Sequence, residues 1–481
     1  MTFAGSGRRY VGAVTTARAS ETTLLSELDA LLPADAVVID PDRLASYRRD
    51  MAVGAAAGTP VAVVLPRTTQ QVSAVLAAAH ARRVPVVPRG AGSGLSGGAN
   101  AVDGALVLCL ERMDSVLDVR VQDGYAVVQP GVVNQRLREH VRGHGLWYAP
   151  DPASKDWCTV GGNVATNAGG LCCVKYGVTR DSVLGLQVVL ADGQVTRLGR
   201  RTVKGVAGYD LAGLVVGSEG TLAVVTEVTV RLRPLPPPPT TVVAVFADLP
   251  SAARAVERIM ATVTPSLLEI MDQATLAAVE AFQPMGLDTS SQALLIAQTD
   301  QPGGGAQVEA AAVATAAQAC GAVEVFVSED PAEADLLLGA RRLAIPAIES
   351  MGAWLLDDVA VPRSRLAEAM AAFAEVAAAH DVPVFTFGHA GDGNLHPTLV
   401  TPHGDDDGAR RALETFDAIL DVALALGGTV TGEHGVGLIK RRALGAELDD
   451  TAVDLHARVK QAWDPLGILN PGKAVPLRPG G

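Results

Sequence analysis

Cysteine and aromatic residues are scarce in this sequence: five cysteines, and 4% Phe, Trp and Tyr together, in 481 residues. The cysteines, at 109, 158, 172, 173 and 320, form no C-x-x-C pair and are odd in number. That excludes a disulfide framework, points to a reducing compartment and leaves no ligand set for an iron–sulfur cluster. Positive charge is also in short supply. Lys and Arg total 39 against 52 Asp and Glu, a net charge of −13, and no basic stripe collects the cations. Nucleic acid is therefore not an expected partner, and small molecules are. No run reaches the eighteen apolar residues of a membrane helix, and the opening MTFAGSGRRYVGAVTTARAS lacks the apolar core of a signal peptide. The length suits two or three domains with ample core.

Glycine, by contrast, is abundant and concentrated. The stretch PRGAGSGLSGG, residues 88–98, has glycines at 90, 92, 94, 97 and 98, and Arg89 is its one charged residue. Such a loop works through its backbone: bare N–H groups turned inward make a concave nest for an anion, here a pyrophosphate. A G-x-G-x-x-G match falls on Gly92, Gly94 and Gly97. The Rossmann reading of it needs a helix opening at the last glycine. The chain instead runs through GGANAVDG into a second apolar run, ALVLCL, so the loop joins two strands. No Lys-Ser or Lys-Thr completes a P-loop either. A glycine-rich surface turn is the alternative that this stretch alone leaves open.

The rest of the chain frames the loop. A helix is expected over 21–32, a strand at 60–66, a helix capped by Thr68 or Thr69 and running to His80, and a strand VPVVP leading into the loop, which together make a β-α-β unit. Further strands, then a helix from Asn134, precede a second glycine-rich stretch, PDPASKDWCTVGGNVATNAGG, which begins at Pro150. There Gly161, Gly162, Gly169 and Gly170 bracket Asn163, Thr166 and Asn167, side chains that hydrogen-bond a flat heterocycle, a ribityl chain or phosphates without adding charge. One extended ligand touching both loops accounts for both. A hairpin spans 183–198 with Asp192 and Gly193 at its turn, and PLPPPP at 234–239 forms a stiff boundary. Beyond it, strands at 241–247, 266–271, 292–299 and 322–327 with helices at 250–263 and 305–319 suggest a ferredoxin-like sheet with helices on one face. A strand at 354–361, a helix to His380, two strands around HAGDGNLH and a helix at 408–426 partly repeat that order. The segment VKQAWDPLGILNPGK ends in turn residues rather than a helix cap and is expected to pack back onto the first domain.

His389 and His396 enclose a turn that can aim both imidazoles at one point, with Glu433 and His434 supplying further polar groups. Histidines more often serve packing, and H-x6-H is no generic metal spacing, so the residues alone leave both readings open.

Taken together, PRGAGSGLSGG, PDPASKDWCTVGGNVATNAGG, KYGVT, GYDL, GSEGTL, GHAGDGNLH, GEHGVG and NPGK resemble the FAD-dependent D-2-hydroxyacid dehydrogenases, in the glycolate oxidase flavoprotein and cytochrome-type D-lactate dehydrogenase branch of the vanillyl-alcohol oxidase superfamily. The likeness runs from about Tyr47 to Lys473. It implies an α+β protein: a preface at 1–57, a vanillyl-alcohol oxidase type (PCMH) FAD-binding domain of two subdomains at 58–236, a ferredoxin-like antiparallel cap at 240–440, and a segment at 441–481 that returns to the FAD domain. FAD, held non-covalently, would lie against Pro88, Arg89, Gly90, Ala91, Gly92, Ser93, Gly94, Pro150, Asp151, Gly162, Asn163, Thr166, Asn167, Gly169, Gly170, Glu219, Gly220, Val225 and Asn470. A divalent metal, zinc in the first instance, would take His389, His396 and Glu433, with His434 as base and Arg341 pairing with the substrate carboxylate. Hydride would pass to the flavin N5, leaving a 2-oxo acid.

Dicarboxylate-specific relatives carry a threonine and a lysine where this chain has Ile345 and Leu356, so the resemblance implies a small monocarboxylate such as D-lactate or glycolate. The electron acceptor would be a quinone, a cytochrome, an iron–sulfur subunit or an electron-transfer flavoprotein. The chain would be a homodimer or a subunit of an oxidase complex, in the cytoplasm or on the inner face of the membrane. Two competing readings are a flavin-containing transferase resembling alkyldihydroxyacetonephosphate synthase and a non-catalytic FAD subunit.

Overall fold

The computed structural model describes residues 23–475, and the basic start of the chain lies outside them. The helix expected at 21–32 is present over 23–31; its first two positions are outside the described residues.

Four strands, β1 (Val37–Val38), β2 (Ala62–Val64), β3 (Val86–Arg89) and β4 (Leu106–Cys109), form a sheet in the order β1-β2-β4-β3. Strands β2 and β3 run parallel to β4, the outcome of a β-α-β crossover through the helix Thr69–Arg82. Thr68 caps that helix by accepting from the Gln71 N–H at 3.2 Å. Both faces of the sheet are covered, which is why β2 and β4 are apolar at every position. Strand β3 ends directly in the first glycine loop.

A second, antiparallel sheet has β5 (Val116–Arg120), β6 (Tyr125–Val128), β8 (Val183–Val189), β9 (Val195–Gly199) and β10 (Val224–Arg231) in the order β5-β6-β10-β8-β9. Strand β7 (Leu146–Trp147) pairs apart from it with β11 (Arg233–Pro234).

After the proline run, a single antiparallel sheet gathers β12 (Thr240–Phe246), β13 (Leu267–Asp272), β14 (Ala293–Thr299), β15 (Glu324–Ser328), β16 (Ala353–Leu356), β18 (Val384–His389) and β19 (Asn394–Thr401), with β17 (Val359–Ala360) on β19. The pairing of β13 with β18 joins the two partial repeats into one surface. Helices cover both faces, not one. Val242, Ala244, Leu268 and Ile270 pack with Leu249–Thr262, Gly305–Ala319 and Leu366–Ala379, whereas Val243, Leu267 and Met271 pack with Gln273–Phe282 and Pro331–Glu349. The strand expected at 354–361 is interrupted at Asp357 and Asp358, both fully buried. Two adjacent buried carboxylates find their partners off the ladder, in Lys440 and the 430s loop.

The segment VKQAWDPLGILNPGK begins in the helix Asp450–Trp463, which was not expected, and ends in turns, which was. That end lies along β3: Val86 N–H donates to Ile468 and Asn470 N–H to Val86, each at 2.8 Å.

Candidate active site

A cavity of about 390 Å³ opens where the two glycine-rich stretches, the cap sheet and the 430s loop meet. The glycine loops touch because their crossing has no room for side chains. A Cβ at Gly90 would stand 2.4 Å from the Thr159 hydroxyl, and one at Gly92, where φ is +81°, would stand 2.0 Å from the Arg89 guanidinium. Arg89 is thus folded under its own loop, with Nη1 buried and lacking a protein partner. Asn163 Nδ2 and Ser218 Oγ, from two other segments of the wall, are buried and unpartnered as well. Buried donors without acceptors are costly. An extended ligand with phosphate and ribityl oxygens would satisfy them, so the residues present fit FAD.

The cavity is lined by every residue from Pro88 to Gly94, by Gly162, Asn163, Thr166 and Gly169, and by Glu219, Gly220 and Val225. Five residues expected at the cofactor stand behind the wall instead. Pro150 presents its carbonyl to Asn134 and Arg138, and Asp151 accepts from the Cys172 N–H at 3.2 Å. Asn167, at φ 55°, ends the short helix Val160–Thr166 and holds the Arg180 N–H. Gly170 lies so near the Asp151 backbone that a Cβ would stand 2.6 Å from it. Asn470 ties two lining segments together, donating to the Gly98 and Glu219 carbonyls at 2.9 and 2.7 Å.

The histidine centre is built on the β18–β19 hairpin, where His389 and His396 project from facing strands of one turn. Glu433 enters from the 430s loop, its Oε1 3.2 Å from His389 Nε2 and 3.3 Å from His396 Nε2. One ligand atom from each of the three lies within 4.8 Å of the others. The His434 ring stacks on His396 at 5.1 Å, and His434 and Glu433 both face the cavity.

Two carboxylates that sequence reasoning missed hold this arrangement. Asp358 accepts from the Glu433 and His434 N–H groups at 2.9 and 2.8 Å and so fixes the loop. Glu269, on β13, accepts from His389 Nδ1 at 2.7 Å and from Arg341 Nε at 2.8 Å. Their signal in the sequence was a charge interrupting an apolar strand, LLEIMD and LLDDVAV.

The electrostatics of the centre are set by this geometry. Burial alone would raise the Glu433 carboxyl, but His389 and His396 hold it well below its ordinary value. Burial likewise opposes charge on His389, yet Glu269 and Glu433 lift it well above the usual imidazole range. A centre that draws a proton this strongly is one a divalent cation would fit, with neutral His389 and His396 nitrogens and one Glu433 oxygen as donors. Burial, the largest influence on His434, pushes it down to about 4.

The remaining expectations fall on the cap. Ile345 and Leu356 line the cavity, together with Trp354 and Glu349, which were not anticipated. Arg341 does not line it. Its guanidinium lies 4.5 Å over the Phe387 ring, and among the described residues only its Nε has a protein partner.

Residues 60–199 match the FAD binding domain family and residues 235–474 the C-terminal domain of FAD linked oxidases. The chain is 42% identical to the glycolate oxidase subunit GlcD of Bacillus subtilis, over 86% of this chain and 88% of that one. It is 36% identical to the Escherichia coli K12 subunit of the same name, over 95% and 91%. It is also 34% identical to a D-lactate dehydrogenase of Archaeoglobus fulgidus, over 86% and 91%. Among solved structures, p-cresol methylhydroxylase with substrate bound superposes with a TM-score of 0.78 at 19% identity, over 95% and 96% of the two chains. An alkyldihydroxyacetonephosphate synthase gives 0.72 at 18% identity, over 94% and 84%. Likeness at these identities shows the fold alone, α+β of the PCMH type.

Proposed function

The chain belongs to the family of FAD-linked oxidases, and on that premise we propose that it oxidises a small D-2-hydroxy monocarboxylate, D-lactate or a glycolate-like acid, to the 2-oxo acid. The observation that carries this reading is the convergence of His389, His396 and Glu433 beside His434, at the cavity that both glycine-rich loops line. Its relatives, named as glycolate oxidase subunits and D-lactate dehydrogenases, agree with it.

FAD, when bound, supplies the two-electron acceptor. A divalent metal such as zinc, when held by His389, His396 and Glu433, supplies Lewis acidity toward a substrate hydroxyl. The chain's own residues do the rest. His434 is neutral at physiological pH because burial disfavours the imidazolium, and it takes the hydroxyl proton. Asp358 holds it in place through the backbone. Arg341 stands behind the cavity lining with Nε committed to Glu269, so reaching a substrate carboxylate would fall to its two terminal nitrogens. Ile345, Leu356 and Trp354 keep that side of the cavity apolar, and Glu349 beside them repels a second carboxylate. Leaving such a charge buried and unpaired costs several kcal/mol, on the order of a thousandfold in affinity.

The test is anaerobic bleaching of the yellow protein with D-lactate, glycolate and D-2-hydroxyglutarate in turn. Faster reduction by one of the first two is expected. A clear preference for D-2-hydroxyglutarate would contradict the monocarboxylate reading, and bleaching by none of the three would contradict the reaction class.

A further inference from the structure

Glu269 is a charged residue in the middle of an apolar strand, and its side chain is fully buried. Neither oxygen is spent on the backbone. Oε1 faces His389 Nδ1 at 2.7 Å, and Oε2 faces Arg341 Nε at 2.8 Å. The strand register explains how one side chain spans both, because Glu269 stands directly opposite His389 in the β13–β18 ladder, while Arg341 comes from the helix packed on that face. Burying a carboxylate is expensive unless it is paired and hydrogen-bonded. The His389 and Arg341 contacts meet both conditions.

We propose that Glu269 is a positioning residue for the oxidation: one carboxylate that keeps the proton of His389 on Nδ1, turning Nε2 toward Glu433, and that anchors Arg341 by Nε, leaving its terminal fork for the substrate. The inference rests on the functional reading above. Its chemistry is that of an outer carboxylate behind a metal-binding imidazole, which fixes ring orientation and tautomer and raises the basicity of the ligating nitrogen. Sharing that carboxylate with the arginine ties two recognition tasks, for the metal and for the substrate carboxylate, to a single side chain.

The experiment is calorimetric titration of the FAD-loaded protein with Co²⁺ after chelator treatment, and then kinetics at saturating Co²⁺. Glu269→Gln keeps the shape of the side chain but removes its charge. Co²⁺ binding is expected to weaken by about 10- to 100-fold with FAD content retained. At saturating Co²⁺ kcat should largely recover, while KM for the hydroxy acid stays raised because Arg341 has lost its anchor. That split distinguishes positioning from general destabilisation. If Glu269→Gln does not fold, Glu269→Asp serves. It keeps the charge but is one methylene too short to hold both partners, so Co²⁺ affinity or KM must suffer. Unchanged Co²⁺ affinity and KM in either variant would overturn the inference. Failure of the unaltered protein to bind Co²⁺ would overturn the metal reading itself and the inference with it.

Discussion

At the scale of single residues, His434 carries the sharpest expectation. It reaches the cavity from the cap side and is held there by Asp358, whereas the glycine loops that fit FAD are on other segments. His434→Ala should therefore slow anaerobic flavin reduction by about 10²- to 10⁴-fold while the protein stays yellow. Stopped-flow absorbance checks it, and reduction at the normal rate would rule out the base role. Ile345 and Leu356 make a second case, since both line the cavity. Ile345→Thr together with Leu356→Lys supplies a hydrogen-bond partner and a cation on that wall. The ratio of D-2-hydroxyglutarate to D-lactate kcat/KM should rise by at least about tenfold, the worth of one new charged hydrogen bond. His389, His396, Glu433 and His434 stand out locally as four polar residues in two short glycine-rich motifs, while the roles proposed for them come from the family resemblance. Glu269 and Asp358 were not, because their roles come from strand register and from a loop far along the chain.

At the scale of elements, the 430s loop is stapled by Glu219 and Ser96 as well as by Asp358. Glu219 accepts from the Val436 and Gly437 N–H groups at 2.8 and 2.9 Å, and Ser96 Oγ donates to the His434 carbonyl. The fit is tight: at Gly437, where φ is +49°, a Cβ would stand 2.1 Å from the Ser96 carbonyl oxygen. Burial pushes Glu219 up to about 7, against the two N–H groups and Lys473. Between an ordinary value of about 4.3 and that raised value, the folded protein keeps a proton that the unfolded chain has lost. The contribution of Glu219 to stability is thus fullest below the ordinary value and falls as pH rises toward 7. Glu219→Gln mimics the protonated side chain at every pH. The melting temperature of the unaltered protein relative to that variant should decline from pH 5 to 8, by the equivalent of up to about 3 kcal/mol, and a constant difference would refute the assignment. Strands were the readable elements, since alternation or short apolar runs between turns marked them. Among the described residues, three helices of ten residues or more escaped. Asp450–Trp463 has no buried residue and so no apolar stripe to read, Pro331–Glu349 contains Pro346, and Gln273–Phe282 fills a gap between strands that reads as a connection.

At the scale of the whole molecule, the β-α-β unit, the hairpins and the proline run could be read locally, but the joining of two half-patterns into one cap sheet could not. The β13–β18 pairing links residues more than a hundred positions apart, and no periodicity reports such a contact. That pairing brings the histidine centre to the cavity, and the cavity in turn decides how FAD is held. Covalent attachment needs a nucleophilic side chain on the wall, and among the described residues that line it His434 is the one histidine and there is no cysteine. Cys172 is turned away toward Asp151 and the Ala149 carbonyl. Burial pushes Cys158 and Cys173 up as well, so neither offers a thiolate. The fit to FAD rests on hydrogen bonding by unpartnered side chains of the wall: the buried Arg89 guanidinium, the Asn163 amide and the Ser218 hydroxyl. Those contacts vanish when the fold is lost. Precipitation with acid should therefore release all the yellow colour into the supernatant, whereas flavin absorbance remaining with the pelleted protein would mean that a side chain had been overlooked as an attachment point.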